Sequence, residues 1–321
     1  MSALNRRSLS KMYNLLSLIQ KGMEDQIWSI KVFPSEDMIS QCNIKANMDR
    51  PSLQASDVRD VQAEFVADPF IIQHNLKYYL FFEVFNKGSA RGEIGVAISE
   101  DGDKWEYQQI VLREKYHLSY PQVFVIGEEI YMLPETTGAD RVLLYKAKKF
   151  PTEWEIDCEL FPGRYLDPSI VKYEEKWWIF AGSEGGNLHL FHSDHLQGPW
   201  MQHTQSPMIT NDKRITRPGG RLIACGNQLY RYTQDGSQYY GSSVRLFKIN
   251  KLSEFEYDDE EVSLILHGTN KESDWRKDGM HHIDQLMISN NRWLVAVDGQ
   301  KTRKRNYFAW KLDRIRSKIF R

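Results

Sequence analysis

Two aspartates, each followed by a proline, stand at the head of similar segments: Asp68 begins DPFIIQHNLKYYLFFE and Asp167 begins DPSIVKYEEKWWIFAG. An Asp-Pro pair before a strand commonly caps a turn. Two carboxylates that a fold brings together are also what glycosidic bond cleavage requires, because one directs the nucleophile and the other protonates the leaving oxygen. The repetition favours a functional role, with Asp68 as the candidate base and Asp167 or Glu135 as the second catalytic group.

A basic cluster lies in the segment NDKRITRPGGRL, where Lys213, Arg214, Arg217 and Arg221 surround two glycines. Guanidinium groups and exposed backbone N–H groups suit phosphate or carboxylate recognition. A solvated loop with an unusual glycine turn is the alternative, and for Lys213 and Arg214 it weighs equally. Arg217 and Arg221 are predicted to bind substrate.

The pair His281-His282, followed by Asp284, offers groups that could ligate a metal. In a strand, successive side chains point to opposite faces, so only one histidine would face a central site. A hydrogen-bonding or acid/base histidine is therefore the preferred interpretation. His281, His282 and Asp284 are predicted substrate-binding residues, and we expect neither a metal nor another cofactor.

An internal repeat explains the placement of these residues. Five hairpin-like segments recur, and their first residues are Asp68, Tyr120, Asp167, Arg217 and His281. The first four are followed by an alternating strand, a turn and a strand bearing an aromatic residue, namely Trp105, Trp154, Trp200 or Phe255. Four strands per unit, at a spacing of roughly 50 residues, are typical of a propeller blade. The sequence therefore predicts an all-β fold, a five-bladed β-propeller.

The two ends of the chain are expected to close the ring, since an unpaired edge would be a liability. The segments IWSIKVF at 27–33 and YFAWKL at 307–312 are predicted to be strands of one blade. Before them, the spacing of apolar residues predicts a short N-terminal helical extension over residues 1–26, formed by Leu9, Met12, Leu16 and Ile19. The propeller is expected to span residues 27–321.

In each hairpin, the start of the first strand and the end of the second share one rim. A ring of acids, histidines and an arginine should therefore converge on one funnel. Its predicted substrate-binding residues also include Glu83, Tyr120 and Gln234, and Tyr240 could stack on a sugar ring.

Composition excludes several classes of function. The chain of 321 residues has 42 Lys and Arg against 43 Asp and Glu, so no global charge favours nucleic acid or an anionic membrane, and any basic partner site must be local. No apolar run is long enough for a membrane span. Three widely spaced cysteines favour a reducing compartment, hence a cytoplasmic location. The motifs of P-loop, dinucleotide-binding, serine-hydrolase and HExxH metalloprotease folds are absent from the sequence.

Five blades with an Asp at the head of blades one and three resemble the furanosidase-like glycosidases, including family 43 and the invertase-type enzymes. The resemblance implies that Asp68 is a base or nucleophile and that Asp167 tunes acidity or holds substrate hydroxyls. That superfamily has a general acid Glu in blade four. Here blade four has the segment RPGGR from Arg217 to Arg221 and no Glu.

A closer resemblance is to the N-terminal propeller domain of glucosamine inositolphosphorylceramide transferases and its bacterial relatives, some of which stand beside formyltransferase-like domains. It rests on VADPFI, GEIGVAISEDGDKWE, HLSYPQVF, KFPTEWE, GPW, LYRYTQD, VRLFKI and HHID, in order from about residue 27 to residue 299. The plant enzymes carry a separate glycosyltransferase domain after this propeller. We do not expect that domain's transferase activity from the propeller itself.

Two functions stay open on the residues. The first is a carbohydrate-active enzyme that transfers or hydrolyses a glycosyl group; with a phosphate leaving group no strong proton donor would be needed. The second is a binding module for a glycan or sugar-phosphate that serves a partner enzyme of glycan biosynthesis, such as a glycosyltransferase or formyltransferase. A protein-interaction propeller is a third, and it would need an exposed apolar patch.

Overall fold

Apolar runs broken by tight polar turns build antiparallel sheets that repeat around a ring. The computed structural model describes residues 23–38, 48–289 and 292–319. Its five sheets follow one another along the chain, and each has its strands in sequence order apart from the closing strand β1. The predicted five-bladed β-propeller is confirmed.

The blades have the following strands. Blade one contains β2 (Ala63–His74), β3 (Lys77–Asn86), β4 (Arg91–Ser99) and β5 (Glu106–Leu112). Blade two contains β6 (Ser119–Ile126), β7 (Glu129–Glu135), β8 (Arg141–Lys149) and β9 (Glu153–Pro162). Blade three contains β10 (Leu166–Tyr173), β11 (Lys176–Ser183), β12 (Asn187–Ser193) and β13 (Met201–Gln202). Blade four contains β14 (Arg217–Pro218), β15 (Ile223–Cys225), β16 (Gln228–Asp235), β17 (Ser243–Leu252) and β18 (Tyr257–His267).

Blade five combines the two ends of the ring. It contains β19 (Ile283–Ser289), β20 (Arg292–Arg305) and, from the N-terminal side, β1 (Met23–Ser35). The pairing of β1 with β20 is antiparallel and runs without a break from Met23 opposite Arg305 to Ser35 opposite Trp293. The prediction that residues 27–33 form a closing strand is confirmed.

The prediction of a strand at 307–312 is wrong, because these residues belong to helix α1 (Tyr307–Ile319). Strand β20 ends at Arg305, and the side-chain oxygen of Asn306 then accepts hydrogen bonds from the backbone N–H groups of Phe308 (3.0 Å) and Ala309 (3.3 Å). An Asn in this position is a strong helix N-cap. Two short 3₁₀ turns cover Ala55–Asp57 and Thr137–Ala139.

The predicted N-terminal helical extension falls mainly on residues 1–22, outside the described residues. Its last four residues, Met23–Gln26, are the first residues of strand β1, not of a helix. Among the described residues, no helix has the length and apolar character needed to cross a membrane.

The core is divided among the blade interfaces. Five apolar clusters lie between neighbouring sheets, one for each pair of blades, including the pair that β1 completes. The predicted equivalence of Trp105, Trp154 and Trp200 is confirmed, since each indole N–H donates to a backbone carbonyl three or four residues earlier. Phe255 differs, because its side chain is 68% exposed.

Candidate functional site

The heads of the inner strands share a distorted backbone. Asp68, Tyr120 and Asp167 each precede a proline and have left-handed φ values of 52°, 49° and 48°. The hairpin register shifts at each of these dipeptides. A left-handed non-glycine residue costs about 1–3 kcal/mol. The equivalent strain in three blades brings these buried side chains to one end of the central channel, which we call the funnel mouth.

The predicted pairing of strand ends at the mouth is confirmed by the register of the hairpins. Glu83 lies opposite the residue before Asp68, and Glu135 lies opposite the residue before Tyr120. Gln234 lies directly opposite Arg217. In these three hairpins the second strand therefore supplies a polar group beside the head of the first, whereas in blade three the residue opposite Leu166 is Gly182.

Asp167 is the centre of one network at the mouth. Its Oδ2 accepts hydrogen bonds from Arg217 Nε and Gln234 Nε2, both at 2.5 Å. Its backbone N–H donates to Glu135 Oε2 at 3.0 Å, and Arg217 Nη2 lies 3.7 Å from the same Glu135 oxygen. The arginine of blade four thus bridges the carboxyl groups of blades two and three.

The two carboxyl groups under Arg217 have opposite proton affinities. Burial and the charge of Asp167 raise the pKa of Glu135 to about 8. Burial also opposes ionisation of Asp167, but the Arg217 guanidinium outweighs it and holds the pKa of Asp167 below its ordinary value. Near neutral pH, Asp167 is the ionised partner of Arg217 and Glu135 is protonated.

Glu135 should make stability fall as pH rises. Its pKa is about 8 in the folded protein against an ordinary 4.5, so between these values the folded state holds a proton that the unfolded state has lost. The slope can reach about 1.4 kcal/mol per pH unit. The free energy of unfolding of the parent minus that of Glu135→Gln, measured by urea titration from pH 5 to 8, should fall with this slope, because the contributions of other titrating groups cancel in the difference. A difference that stays constant with pH would contradict the assignment; Glu129→Gln, at the other end of the same strand, is the control.

His281 is the centre of a second network. Its Nδ1 lies 2.7 Å from Asp298 Oδ2, and its Nε2 lies 3.1 Å from the Tyr240 hydroxyl and 3.6 Å from Asp68 Oδ1. Burial disfavours the imidazolium, yet the charge of Asp298 outweighs it and raises the pKa of His281 to about 9. Burial raises the pKa of Asp68 well above its ordinary value despite the nearby His281. His281 therefore lies between two carboxyl groups of opposite tendency, since burial opposes ionisation of Asp298 but the charge of His281 outweighs it and holds the pKa of Asp298 below its ordinary value.

The ligand atoms of Asp68, His281 and Asp298 lie within 4.8 Å of one another, a spacing that a metal ion could bridge. Both ring nitrogens of His281 already contact protein groups, Asp298 and the Tyr240 hydroxyl. A metal ion would have to displace one of these contacts.

The expectation that only one histidine faces the site is wrong. His282 Nδ1 lies 3.7 Å from Asp68 Oδ1, about as close as His281. Both residues precede strand β19, and their consecutive backbone N–H groups donate to the same Asp298 oxygen at 3.0 Å, so the alternation of a strand does not apply. Burial lowers the pKa of His282 to about 4, and its neutral ring packs against Phe70 and Tyr120.

Arg221 and Asp284 lie deeper in the channel wall. Arg221 Nε donates to Asp284 Oδ1 at 2.8 Å, and the other Asp284 oxygen accepts the backbone N–H of Ile71 at 2.7 Å. These contacts join blades four, five and one. Tyr120 makes a similar link, since its hydroxyl contacts Ser169 Oγ at 2.7 Å and accepts the Gly220 N–H at 2.6 Å. All three predicted site residues thus hold blades together around the channel.

Glu83 has a partner that the sequence did not indicate. Its Oε1 lies 3.2 Å from Nε2 of His117, a half-exposed residue just before strand β6. Burial disfavours the charged imidazole, but the bond to Glu83 outweighs it and raises the pKa of His117. This pair forms the side of the mouth between blades one and two.

An open cavity of about 310 Å³ lies beside Arg217, between blades three and four. Its polar and aromatic walls include the predicted residues Arg217, Gln234 and Tyr240, together with Ser183, Lys213 and Thr216. Four glycines, Gly185, Gly186, Gly236 and Gly241, expose their backbone to it. Lys213 forms no ion pair with another described residue. Glu184 also lines the cavity, and the N–H groups of Gly186 and Gly236 donate to the carbonyls of Ser183 and Lys213. The cavity therefore offers one unpaired cation, one carboxyl group, a glycine-rich backbone and an aromatic face.

Sequence reasoning missed Trp28 in the closing strand. Its ring stacks on His281 at a centroid distance of 4.0 Å and meets the edge of Tyr240 at 6.2 Å. The only sequence signal for a role of Trp28 was the predicted strand at residues 27–33. A strand prediction alone does not indicate which side chains the indole contacts. Tyr240 in turn lies 5.3 Å below the Arg217 guanidinium.

The fold defines the class of the protein, a five-bladed β-propeller, and several glycoside hydrolases of known structure share this fold. An exo-1,5-α-L-arabinanase from a bovine ruminal metagenomic library has a TM-score of 0.55 and 15% identity, over 76% of this chain and 94% of that one. A GH32 β-fructofuranosidase from Bombyx mori has a TM-score of 0.53 and 14% identity, over 75% of this chain and 58% of that one. At such identities the likeness establishes the fold alone.

The chain belongs to the family described as glucosamine inositolphosphorylceramide transferase 1, N-terminal, whose model matches residues 27–300. A glucosamine inositolphosphorylceramide transferase 1 of Oryza sativa subsp. japonica is 38% identical over 249 residues, 74% of this chain and 34% of the relative. The protein of that name from Arabidopsis thaliana is 33% identical over 256 residues, 77% of this chain and 34% of the relative. The chain therefore spans about a third of the length of these relatives.

Proposed function

We propose that this propeller is a carbohydrate-active protein that binds a sugar carrying a phosphate group in the cavity between blades three and four. The observation that carries the proposal is the unpaired cation Lys213, which lies directly beside Gly186 and Gly236 in the glycine-rich wall of this cavity. A lysine suits phosphate oxygens. The N–H groups of Gly186 and Gly236 already donate to the carbonyls of Ser183 and Lys213, so Gly185 and Gly241 are the glycines left to donate to a phosphate. Tyr240 supplies a ring face, and Gln234 and Ser183 supply polar groups for sugar hydroxyls.

The bonds of Asp167 support recognition over hydrolysis. One of its oxygens already accepts bonds from Arg217 and Gln234. Where the furanosidase-like glycosidases have a general acid in blade four, this chain has Arg217, which offsets the charge of Asp167. An arginine cannot supply a proton as that acid does, and with its charge offset by Asp167 it leaves Lys213 as the cation available to an anionic ligand.

The family relationship supports a phosphorylated sugar as the class of ligand. The relatives' name, glucosamine inositolphosphorylceramide transferase, contains both an amino sugar and a phosphorylated inositol. The propeller would hold such a ligand for a partner enzyme of glycan biosynthesis. Because the chain matches only about a third of these relatives' length, the proposal concerns ligand binding by the propeller and not the relatives' transferase activity.

Lys213→Gln should weaken the binding of a phosphorylated sugar roughly ten-fold or more, because a hydrogen bond to a charged group contributes about 1.5–3 kcal/mol. Calorimetric titration with glucose 6-phosphate, inositol 1-phosphate and unphosphorylated glucose would measure this effect. Lys172→Gln, an exposed lysine on strand β10, is the matched control and should leave affinity unchanged. Equal affinity for phosphorylated and plain sugars would overturn the proposal.

Catalysis is the second candidate, and one observation favours it. Ionised Asp167 lies beside protonated Glu135, and such separated proton affinities are typical of acid/base pairs. The protein is incubated with the same ligands and with aryl glycosides, and product formation is followed by NMR. This experiment distinguishes catalysis from binding without turnover. Turnover that is lost in both Asp68→Asn and Glu135→Gln would replace the binding proposal, whereas saturable binding without turnover supports it.

A further inference from the structure

Helix α1 presents an unpartnered apolar stripe to solvent. Phe308, Leu312 and Ile315 are 59%, 49% and 47% exposed. Their spacing of four and three residues places them within roughly 60° of one another around the helix axis, at 100° per residue. Three large apolar side chains therefore form one continuous outward face.

Basic residues flank this stripe. Lys311 and Arg316 are exposed on its two sides. Residues 301–321 contain nine of the 42 Lys and Arg residues of the chain but one of its 43 Asp and Glu residues. On strand β20, Arg303, Lys304 and Arg305 are offset by ion pairs with Glu24, Asp25 and Glu64. The positive charge available to a partner therefore lies on the helix itself, at Lys311 and Arg316.

The opposite face of α1 is fixed to the propeller. Asp313 pairs with Arg305 at 2.8 Å and with Lys87 at 3.1 Å. One turn later, the buried Ser317 donates to Gln62 at 2.6 Å. The apolar stripe thus points away from the ring because the other side of the helix is bonded to it.

The helix lies on the same end of the ring as the funnel mouth. Lys87 directly follows strand β3, whose last residues include Glu83, and Gln62 directly precedes β2, which leads to Asp68. Both anchors therefore belong to the mouth end of blade one. Whatever binds the stripe also faces the mouth side of the propeller.

We propose that helix α1 binds the surface of an anionic lipid bilayer. A helix with an apolar stripe between basic residues lies in the interface with its apolar side in the headgroup region, and each nearby lysine or arginine adds attraction to anionic lipid. Nucleic acid would use the charges but not the exposed Phe308, Leu312 and Ile315. A second copy of the chain is disfavoured, since two strongly basic helices would repel and three side chains fall short of the roughly 800 Å² per partner of a stable interface.

The test is flotation of the full chain with vesicles of phosphatidylcholine alone or with phosphatidylserine added. The chain should bind the anionic vesicles, and binding should fall as salt is raised. Lys311→Glu with Arg316→Glu, and separately Phe308→Ser with Leu312→Ser, should each reduce binding at least ten-fold. The control, Lys104→Glu with Lys172→Glu, changes two exposed lysines outside this helix, in the β4–β5 turn of blade one and on strand β10 of blade three, and should have little effect.

Three results would overturn the proposal. The first is equal binding to neutral and anionic vesicles. The second is vesicle binding that appears only after residues 1–22 are deleted; these residues precede Met23, which pairs with Arg305 just before the helix, and they would then be the occupant of the stripe. The third is a parent chain that does not bind vesicles but sediments as a dimer, together with a Phe308→Ser and Leu312→Ser variant that sediments as a monomer. Thermal unfolding of each variant should match the parent, since the substituted side chains are exposed.

Discussion

Replacing Gly220 by alanine is expected to destabilise the protein by more than about 4 kcal/mol, or to prevent folding altogether. Gly220 has a φ of +148°, and an added Cβ would overlap the backbone carbonyl of Ile283 in the next blade. Its N–H donates to the Tyr120 hydroxyl at 2.6 Å, and its carbonyl accepts from Ser169 Oγ at 3.2 Å. Any backbone shift that relieves the overlap would break contacts with blades two and three as well.

The matched control is Gly226→Ala. Gly226 also has a left-handed φ, +60°, but an added Cβ would meet no atom within 4 Å. We expect a cost of about 1 kcal/mol there, from backbone conformation alone. The yield of folded protein and urea unfolding compare the two variants. Similar stability of both would show that blades four and five do not approach as closely as described.

Arg217→Ala should cost about 3–5 kcal/mol, because removing one partner of a buried ion pair leaves an uncompensated charge. Asp167 is 1% exposed and would retain only the Gln234 bond on its charged oxygen. Glu135 adds little to this penalty, since its raised pKa keeps it protonated near neutral pH. The prediction therefore concerns a single carboxylate.

Two variants make this result specific. Arg214→Ala removes an arginine that pairs with Asp212 at the surface, where such pairs contribute about 0–1 kcal/mol. The double variant Arg217→Ala with Asp167→Asn removes the orphaned charge and should recover a large part of the lost stability. Urea unfolding at pH 7 measures all three. A double variant as unstable as Arg217→Ala alone would mean that the arginine stabilises by packing on Tyr240 and not by neutralising Asp167.

The blade architecture was accessible from sequence because it repeats. Each unit carries the same order of hairpin, alternating strand and aromatic strand, so one error in a strand boundary does not change the number of blades. The approach of Glu83 and Glu135 to the mouth followed from the same logic, since antiparallel pairing brings the end of one strand beside the start of the other.

Contacts between blades were not accessible in this way. Arg217 and Asp167 are 50 residues apart in the sequence. Asp167 also has a left-handed backbone conformation, which no pattern of residues in the sequence predicts. Likewise, the alternation rule failed for His281 and His282 because a common acceptor, Asp298, orients both of their N–H groups. The segment of helix α1 was predicted to be a strand because its aromatic residues occur in strands as well as in helices. The residue that favours a helix is the N-cap Asn306.

The pairing of Met23 with Arg305 fixes where the chain enters and leaves the ring. Strand β20 runs past Asp298, which lies at the funnel mouth, to Arg305, so both exits are on the mouth side. A domain attached near either of these points would be tethered on the side of the ring where the funnel opens. With a short flexible linker it would meet a sugar bound in the cavity beside Arg217 at an effective concentration of the order of millimolar. Such an arrangement would let a weakly held ligand be delivered efficiently to an attached enzyme.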